Sequence, residues 1–202
     1  MKLILASASP RRAQILRDAG FAFEVRPAHV NETRLPRESA AAYVSRLASS
    51  KARLIARKLQ AKNKNAFVIG ADTVVVAGRH ILGKPANAAD ARHMLRLLSG
   101  KKHKVLTGVS IINVFSGRES IHVETTQVQF SRITTRDIRE YLATREPFDK
   151  AGAYGIQGIG GRFVRRIEGC YFNVMGLPLS RVSSMLRAAG WRDRKPRRKI
   201  KS

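Results

Sequence analysis

The stretch Leu3-Ile-Leu-Ala-Ser-Ala-Ser-Pro-Arg-Arg12 runs from a strand straight into a helix, and that step places the chain among α/β proteins. The short apolar run Leu3 to Ala6 reads as a buried strand. Pro10 then occupies the first helical position behind Ser9 as N-cap, a helix-start signal with a clear cause: the missing N–H would have been unsatisfied there anyway. The helix is expected from Arg11 to about Ala19, with Ile15 and Leu16 turned inward. Free backbone N–H groups and the positive dipole end would lie beside Ser7, Ser9, Arg11 and Arg12, an arrangement suited to a phosphate. The same residues also describe an ordinary capped helix with solvated arginines, so both readings stand at this point.

The rest of the chain extends the α/β pattern. Phe21 to Val25 alternates like a strand, and Ser39 to about Leu59 is helical, with Val44, Leu47, Ala48 and Ile55 on one stripe. Lys51 falls on that stripe, where a lysine either snorkels or points into a polar cleft. Ala66 to Gly70 reads as a buried strand ending at Ala71-Asp72-Thr73, and Val74–Ala77 with His80–Leu82 as a hairpin turning at Gly78. Asn87 with Asp90 opens a helix whose inner face is Ala91, Met94, Leu95 and Leu98. Two long strands, about 103–115 and 119–131, are joined at Ser116-Gly117-Arg118. Thr134 with Asp137 resembles a capping box for a helix to about Thr144. A glycine-rich loop, Asp149 to Gly161, leads into a strand over Phe163 to Ile167, and Pro178 starts the last helix. Strands and helices mix without strict alternation, so the fold class is α/β with a mixed sheet.

At 202 residues with 44% hydrophobic content the chain can bury a full core, and one domain over residues 1–191, of two lobes, is expected. No apolar stretch approaches a membrane span or a signal-peptide core, so the cytoplasm is the default location. The single cysteine, Cys170, excludes an intramolecular disulfide and reads as a small core side chain. The net charge is +25. Residues 192–202 hold seven Lys or Arg against Asp193 alone and read as a disordered basic tail. The rest is still strongly positive, a field that attracts nucleotides, nucleic acid or acidic surfaces alike.

Several motifs fail on inspection. Gly78 to Lys84 spells Gly-x-x-x-x-Gly-Lys, but Pro85 stands where the magnesium-binding hydroxyl belongs, and the flanks read as a hairpin. Gly158-Ile-Gly160 begins a dinucleotide fingerprint, but Phe163 replaces the third glycine. The five histidines have no zinc-ligand spacing, and no helix-turn-helix or RNA-binding signature accompanies the charge. What remains is Asp72 at the end of a core strand, a place where α/β enzymes hold working carboxylates, with a local turn cap as the alternative. Glu32 and Asp149 are the other acids in motif-like surroundings. Arg11, Arg12, Lys51, Lys84 and Lys150 would supply cations, and many cations with one or two carboxylates suit a polyphosphate bound as its metal complex.

Six pieces in order, Ser7-Ala-Ser-Pro-Arg-Arg12, Val30-Asn-Glu-Thr33, Gly70-Ala-Asp-Thr-Val74, Gly83-Lys-Pro85, Asp149-Lys-Ala-Gly-Ala-Tyr-Gly-Ile-Gln-Gly158 and Gly176-Leu-Pro178, resemble the Maf family of nucleoside triphosphate pyrophosphatases from Lys2 to about Trp191. The resemblance implies an elongated α/β fold with a central cleft, similar to inosine triphosphate pyrophosphatases. It also implies hydrolysis of a nucleoside triphosphate to monophosphate and pyrophosphate, with a divalent cation, Mg²⁺ or Mn²⁺, often in a homodimer. Some members are linked to inhibition of septum formation. Arg11, Thr73 and Gln157 match the dTTP/UTP branch, in which Gln157 would offer both a donor and an acceptor to a uracil or thymine edge. Ser7, Ser9, Arg11, Arg12, Lys51 and Lys84 would bind and neutralise phosphate oxygens. Asp72 would accept a proton from water or hold the metal, with Glu32 as a second metal ligand. The alternatives are a 7-methyl-GTP pyrophosphatase of the same family and a non-enzymatic basic protein that binds nucleic acid. The basic tail lies outside the family pattern.

Overall fold

The computed structural model describes residues 1–192, so the basic tail lies outside the described residues except for Arg192. Strand β1 (Lys2–Leu5) leads into helix α1 (Pro10–Asp18), whose N-cap Ser9 accepts from the Arg12 amide. Then follow β2 (Glu24–Val25), the long helix α2 (Ala40–Gln60), β3 (Ala66–Ala77) and β4 (His80–Leu82). Helix α3 (Ala88–Leu98), the hairpin of β5 (Lys102–Asn113) and β6 (Glu119–Phe130), and helix α4 (Thr135–Ala143) come next. Three short 3₁₀ turns span 146–163, before β7 (Val164–Glu168), the single-turn α5 (Tyr171–Val174) and α6 (Leu179–Ala188). Both bonds of the capping box between Thr134 and Asp137 are present.

The seven strands form one mixed sheet in the order β2-β1-β3-β5-β6-β7, with β4 added to β3. Strands β2, β1 and β3 are mutually parallel, and all other pairings are antiparallel. Four apolar clusters cover the sheet, the smallest of them Val44, Val74 and Leu106 between α2 and the sheet. Ile15 and Leu16 of α1 and Val182 and Leu186 of α6 pack on Leu3, Leu5, Ile69 and Val109. On the same face but towards the other end, Ala91, Leu95 and Leu98 of α3 and Ile138 and Tyr141 of α4 pack on Val75, Val105 and Val128. On the opposite face, Ala52, Ile55 and Leu59 of α2 pack on Ile4, Val68 and Ile112.

Strand β3 carries the feature that makes the site. One of its edges is paired continuously with β5, from Phe67↔Asn113 to Val76↔Lys104. Along the other edge β1 ends at Leu5↔Ile69, extended by an Ala6 amide bond to the Ile69 carbonyl, and β4 begins at Val75↔Leu82. Residues 70–74 between them have no strand partner on that side, which leaves a notch in the sheet. Asp72 was expected at the end of a strand. It lies instead in the middle of a twelve-residue one, because the β-branched run Thr73 to Val76 and the ladder to β5 carry the strand on while only its other partner changes.

Two further expectations shift. The strand over Phe21 to Val25 is reduced to Glu24–Val25, because Phe21 and Phe23 turn into the core, Phe21 stacking on Trp191 with ring centroids 5.3 Å apart. Helix α5 carried no sequence signal. Glycine sets how closely α2 approaches the sheet: a Cβ at Gly70 would stand 2.1 Å from the Ala48 carbonyl oxygen, and one at Gly108 would stand 2.3 Å from that of Val44.

Candidate active site

The close seating of α2 brings Lys51 over the notch. Its ammonium donates to Asp72 Oδ1 at 2.6 Å and stands 2.6 Å from Glu32 Oε1, so one cation joins two carboxylates from different segments. The side chains of Lys51 and Asp72 are 9% and 12% exposed, whereas that of Glu32 is 56% exposed. This contrast makes Asp72 a fixed part of the floor and Glu32 a group on the rim. Burial would raise the Glu32 pKa, but the hydrogen bond and charge of Lys51, with the fields of Lys84 and Arg12, hold it below its usual value.

On the other side of β3, Arg12 fills the notch. Its guanidinium donates from Nε to Gly176 O at 2.8 Å, from Nη1 to Ser7 Oγ at 3.1 Å and to Ala71 O at 2.9 Å, and from Nη2 to Thr73 Oγ1 at 3.0 Å. Four of its five N–H groups are thus engaged by neutral acceptors. Burial draws its pKa down, with Asp72 pulling the other way and Arg11 adding to the fall. The positive charge beneath the cleft is therefore held by the fold and not supplied by a mobile surface arginine. Ser7 also accepts from the Ser9 amide at 3.2 Å, so the turn into α1 and the guanidinium brace each other.

The mouth is framed by the glycine-rich loop. Arg11 donates to Asp149 Oδ2 at 2.6 Å and to the Asp149 carbonyl at 3.1 Å, and Lys150 donates to Asp149 Oδ1 at 2.6 Å. Burial would raise the Asp149 pKa, but the bonds from Lys150 and Arg11 keep it below the ordinary range. Glu146 organises the loop from behind, accepting from Tyr141 OH at 2.9 Å and from the amides of Ile159 and Gly160 at 2.8 and 3.2 Å. The cleft so enclosed measures about 1040 Å³, at the upper end for small-molecule sites, about 300–1,000 Å³. Cations from α1, α2, the turn after β4 and the glycine loop line it together, so it can hold a highly charged anionic molecule.

Residues 2–189 match the family model described as Maf-like protein. The chain belongs to the Maf family. Among curated Maf relatives, a dTTP/UTP pyrophosphatase of Koribacter versatilis (strain Ellin345) is 53% identical over 94% of this chain and 95% of its own length. Proteins of the same name from Syntrophus aciditrophicus (strain SB) and Geobacillus sp. (strain WCH70) are 49% and 48% identical, each over 94% of this chain and over 90% and 99% of their own lengths. A solved nucleoside-triphosphatase / dITP/XTP pyrophosphatase from Mycobacterium abscessus aligns with a TM-score of 0.42 at 16% identity, over 94% of this chain and 97% of that one, a loose likeness.

Every residue singled out for the site lines this one cleft: Ser7, Ser9, Arg11, Arg12, Glu32, Lys51, Asp72, Thr73, Lys84 and Gln157. Their states differ. Lys84 is exposed and has no ion pair or hydrogen bond among the described residues, whereas the Thr73 hydroxyl is already bonded to Arg12 and to Thr107 Oγ1, each at 3.0 Å. Gln157 is exposed on the glycine loop. Lys150, by contrast, is spent on Asp149 and on the Glu146 carbonyl at 2.7 Å, so it shapes the loop. Sequence reasoning missed Tyr43, whose hydroxyl donates to the Glu32 carbonyl at 2.7 Å, and Glu146. No spacing signal marked either residue. Among the described residues no group of three or more His, Cys, Asp or Glu is arranged to hold a metal by itself, and no helix is long and apolar enough to cross a membrane.

Proposed function

We propose that this Maf chain hydrolyses nucleoside triphosphates, dTTP and UTP foremost, to the monophosphate and pyrophosphate. The observation that carries the reading is the Lys51-bridged pair Asp72 and Glu32 facing a cleft floored by the buried Arg12 charge and rimmed by the free Lys84. The names of relatives up to 53% identical over nearly full length support the same reaction and supply the choice of base.

Water attacks the α-phosphorus in line, and pyrophosphate leaves towards Lys84. Ser7 and Ser9, with the Arg11 amide in the first turn of α1, hydrogen-bond phosphate oxygens. Arg12, Lys51 and Lys84 neutralise the charge that builds up as the bond breaks, a preorganised electrostatic effect that costs no rearrangement during the step. Asp72 Oδ1 is fixed by Lys51, while Oδ2 has no hydrogen-bond partner among the described residues, so Oδ2 is the atom free to take the proton of the water. Arg11, Thr73 and Gln157 would set the choice of base.

The donor set also fits one divalent cation, Mg²⁺ or Mn²⁺. Asp72 Oδ1 and Glu32 Oε1 converge on Lys51 Nζ, each at 2.6 Å, so both carboxylates face one small volume, and one or two carboxylates plus substrate phosphates are the usual ligands for such an ion. When bound, the cation would polarise the phosphate oxygens that these residues surround.

A panel of nucleoside triphosphates, 7-methyl-GTP included, with pyrophosphate detection tests the proposal. Release from dTTP and UTP ahead of the others is expected, and its loss in Asp72→Asn with the fold intact. No pyrophosphate from any nucleotide, with or without Mg²⁺ or Mn²⁺, would overturn it.

A further inference from the structure

Glu32 sits in a fourteen-residue connection, 26–39, between β2 and α2 that contains no helix or strand. Asn31 Oδ1 accepts from the Thr33 amide at 2.9 Å and braces the turn around Glu32 locally, but that bond does not aim the half-exposed carboxylate at Lys51. Further contacts to this backbone come from a cluster one to two turns further towards the start of α2, outside the bonds that hold Asp72 and Arg12. Tyr43 OH donates to the Glu32 carbonyl at 2.7 Å, and Arg46 Nη2 donates to the Thr33 carbonyl at 3.1 Å. Arg46 is held in turn by a two-pronged pair with Glu38, Nε to Oε1 at 2.6 Å and Nη2 to Oε2 at 2.8 Å, and its guanidinium lies 5.5 Å from the Tyr43 ring centre. Glu38 also accepts from the Leu35 amide at 3.0 Å, which closes the segment back on itself. The forked geometry fixes both partners in orientation, and the Glu38 side chain is only 7% exposed.

Tyr43, Arg46 and Lys51 all belong to α2, with Tyr43 and Arg46 one turn apart and adjacent on its surface. A single rigid helix therefore grips the Glu32 segment twice: by the backbone through Tyr43 and Arg46, and by the carboxylate through Lys51. We propose that Arg46, locked by Glu38 and stacked with Tyr43, is a positioning residue that sets the Glu32 carboxylate over Lys51 and Asp72 for cation binding and turnover. The proposal rests on the pyrophosphatase reading above, but its structural half can be measured without it.

The test uses the full chain with Arg46→Met, Arg46→Lys, Tyr43→Phe, Glu32→Gln and the double variant Arg46→Met/Glu32→Gln. Hydrogen exchange is the activity-independent readout. Amides 31–35 are expected to exchange faster in Arg46→Met, while those of β3 and β5 do not change. Binding of Mn²⁺ alone, followed by electron paramagnetic resonance, should weaken by about 10- to 100-fold in Arg46→Met, the usual scale for losing a group that orients a metal ligand, with Arg46→Lys recovering part of it. With dTTP, kcat should fall while KM changes less, and Tyr43→Phe should give a smaller loss. The double variant should be no worse than Glu32→Gln alone, because once the carboxylate is gone its placement no longer matters. Additive losses in the double variant, or unchanged exchange at 31–35, would overturn the proposal. If the wild type releases no pyrophosphate from any nucleotide while exchange and Mn²⁺ binding respond as described, the positioning stands and the proposed reaction fails.

Discussion

Lys51 donates to Asp72 at 2.6 Å across the seam between α2 and β3, with both side chains nearly out of solvent. Removing one member of such a pair leaves the other charge buried without compensation, a loss of about 3–5 kcal/mol when burial is complete. Here the cleft lets water reach one side, so Lys51→Met is expected to destabilise the chain by about 3 kcal/mol, and Lys51→Met/Asp72→Asn to recover most of that. Urea denaturation of the two variants measures the difference. Equal stability of single and double variants would mean that the pair adds nothing to the fold.

The same pairing depends on two residues that never touch it. Gly70 and Gly108 let α2 lie against the backbone of β3 and β5, and a methyl at Gly108 would meet the Val44 carbonyl oxygen at 2.3 Å. Gly108→Ala must lift or tilt the helix, at a cost of about 1–3 kcal/mol, as for other overpacked sites. Lys51 rides on that helix, so turnover should fall by about 100-fold even where the variant stays folded, the usual result of moving a working group by about 1 Å. Circular dichroism melts and pyrophosphate release on the same sample separate the two effects.

Local signals carried much of this molecule, and their failures have a common cause. The Ser9–Pro10 helix start, the capping box at Thr134 and the hairpin at Gly117 are set by neighbours in sequence, and each forms as read. Lys51 on the apolar stripe of α2 was the one long-range clue, since a cation there needs a polar partner. One partner of Arg12 could not be read the same way: Gly176 is 164 residues away and contributes only a carbonyl, which leaves no trace in residue type. Glu146 and Tyr43 likewise act through backbone groups of distant loops. The mid-strand position of Asp72 was hidden because a change of strand partner looks, in sequence, like a strand end.

His103 lies under the far end of the sheet, donating to or accepting from Tyr154 OH at 2.9 Å and packed edge-on against Phe130. Burial lowers its pKa from 6.5 to about 4. The unfolded chain therefore takes up a proton as pH falls below 6.5 while the folded chain does not. Stability is complete above the unfolded value and is lost progressively down to the folded one. The loss from this group should amount to about 3 kcal/mol between pH 6.5 and pH 4, at about 1.4 kcal/mol per unit. Chemical denaturation at stepped pH should show that slope, and His103→Phe should flatten it. Glu38, held at about 2 by the Arg46 bonds, acts at lower pH: its contribution is present above 4.5 and disappears between there and about 2, so the two windows can be told apart.

Arg11 and Asp149 join α1 to the glycine loop across the mouth of the cleft, with side chains 26% and 55% exposed. A pair so open to water contributes less than about 1 kcal/mol, so Asp149→Asn should leave the melting temperature nearly unchanged. Its effect should fall on selectivity instead. Asp149 fixes Arg11 through both its carboxylate and its carbonyl, and Gln157 stands on the loop that this contact anchors. Without the carboxylate, Arg11 and Gln157 no longer hold one relative position, and the preference for dTTP and UTP over purine triphosphates should narrow through a rise in KM for the pyrimidines. Comparing kcat/KM across the nucleotide panel for wild type, Asp149→Asn and Arg11→Lys checks this. An unchanged ranking in both variants would mean that the base is chosen elsewhere in the cleft.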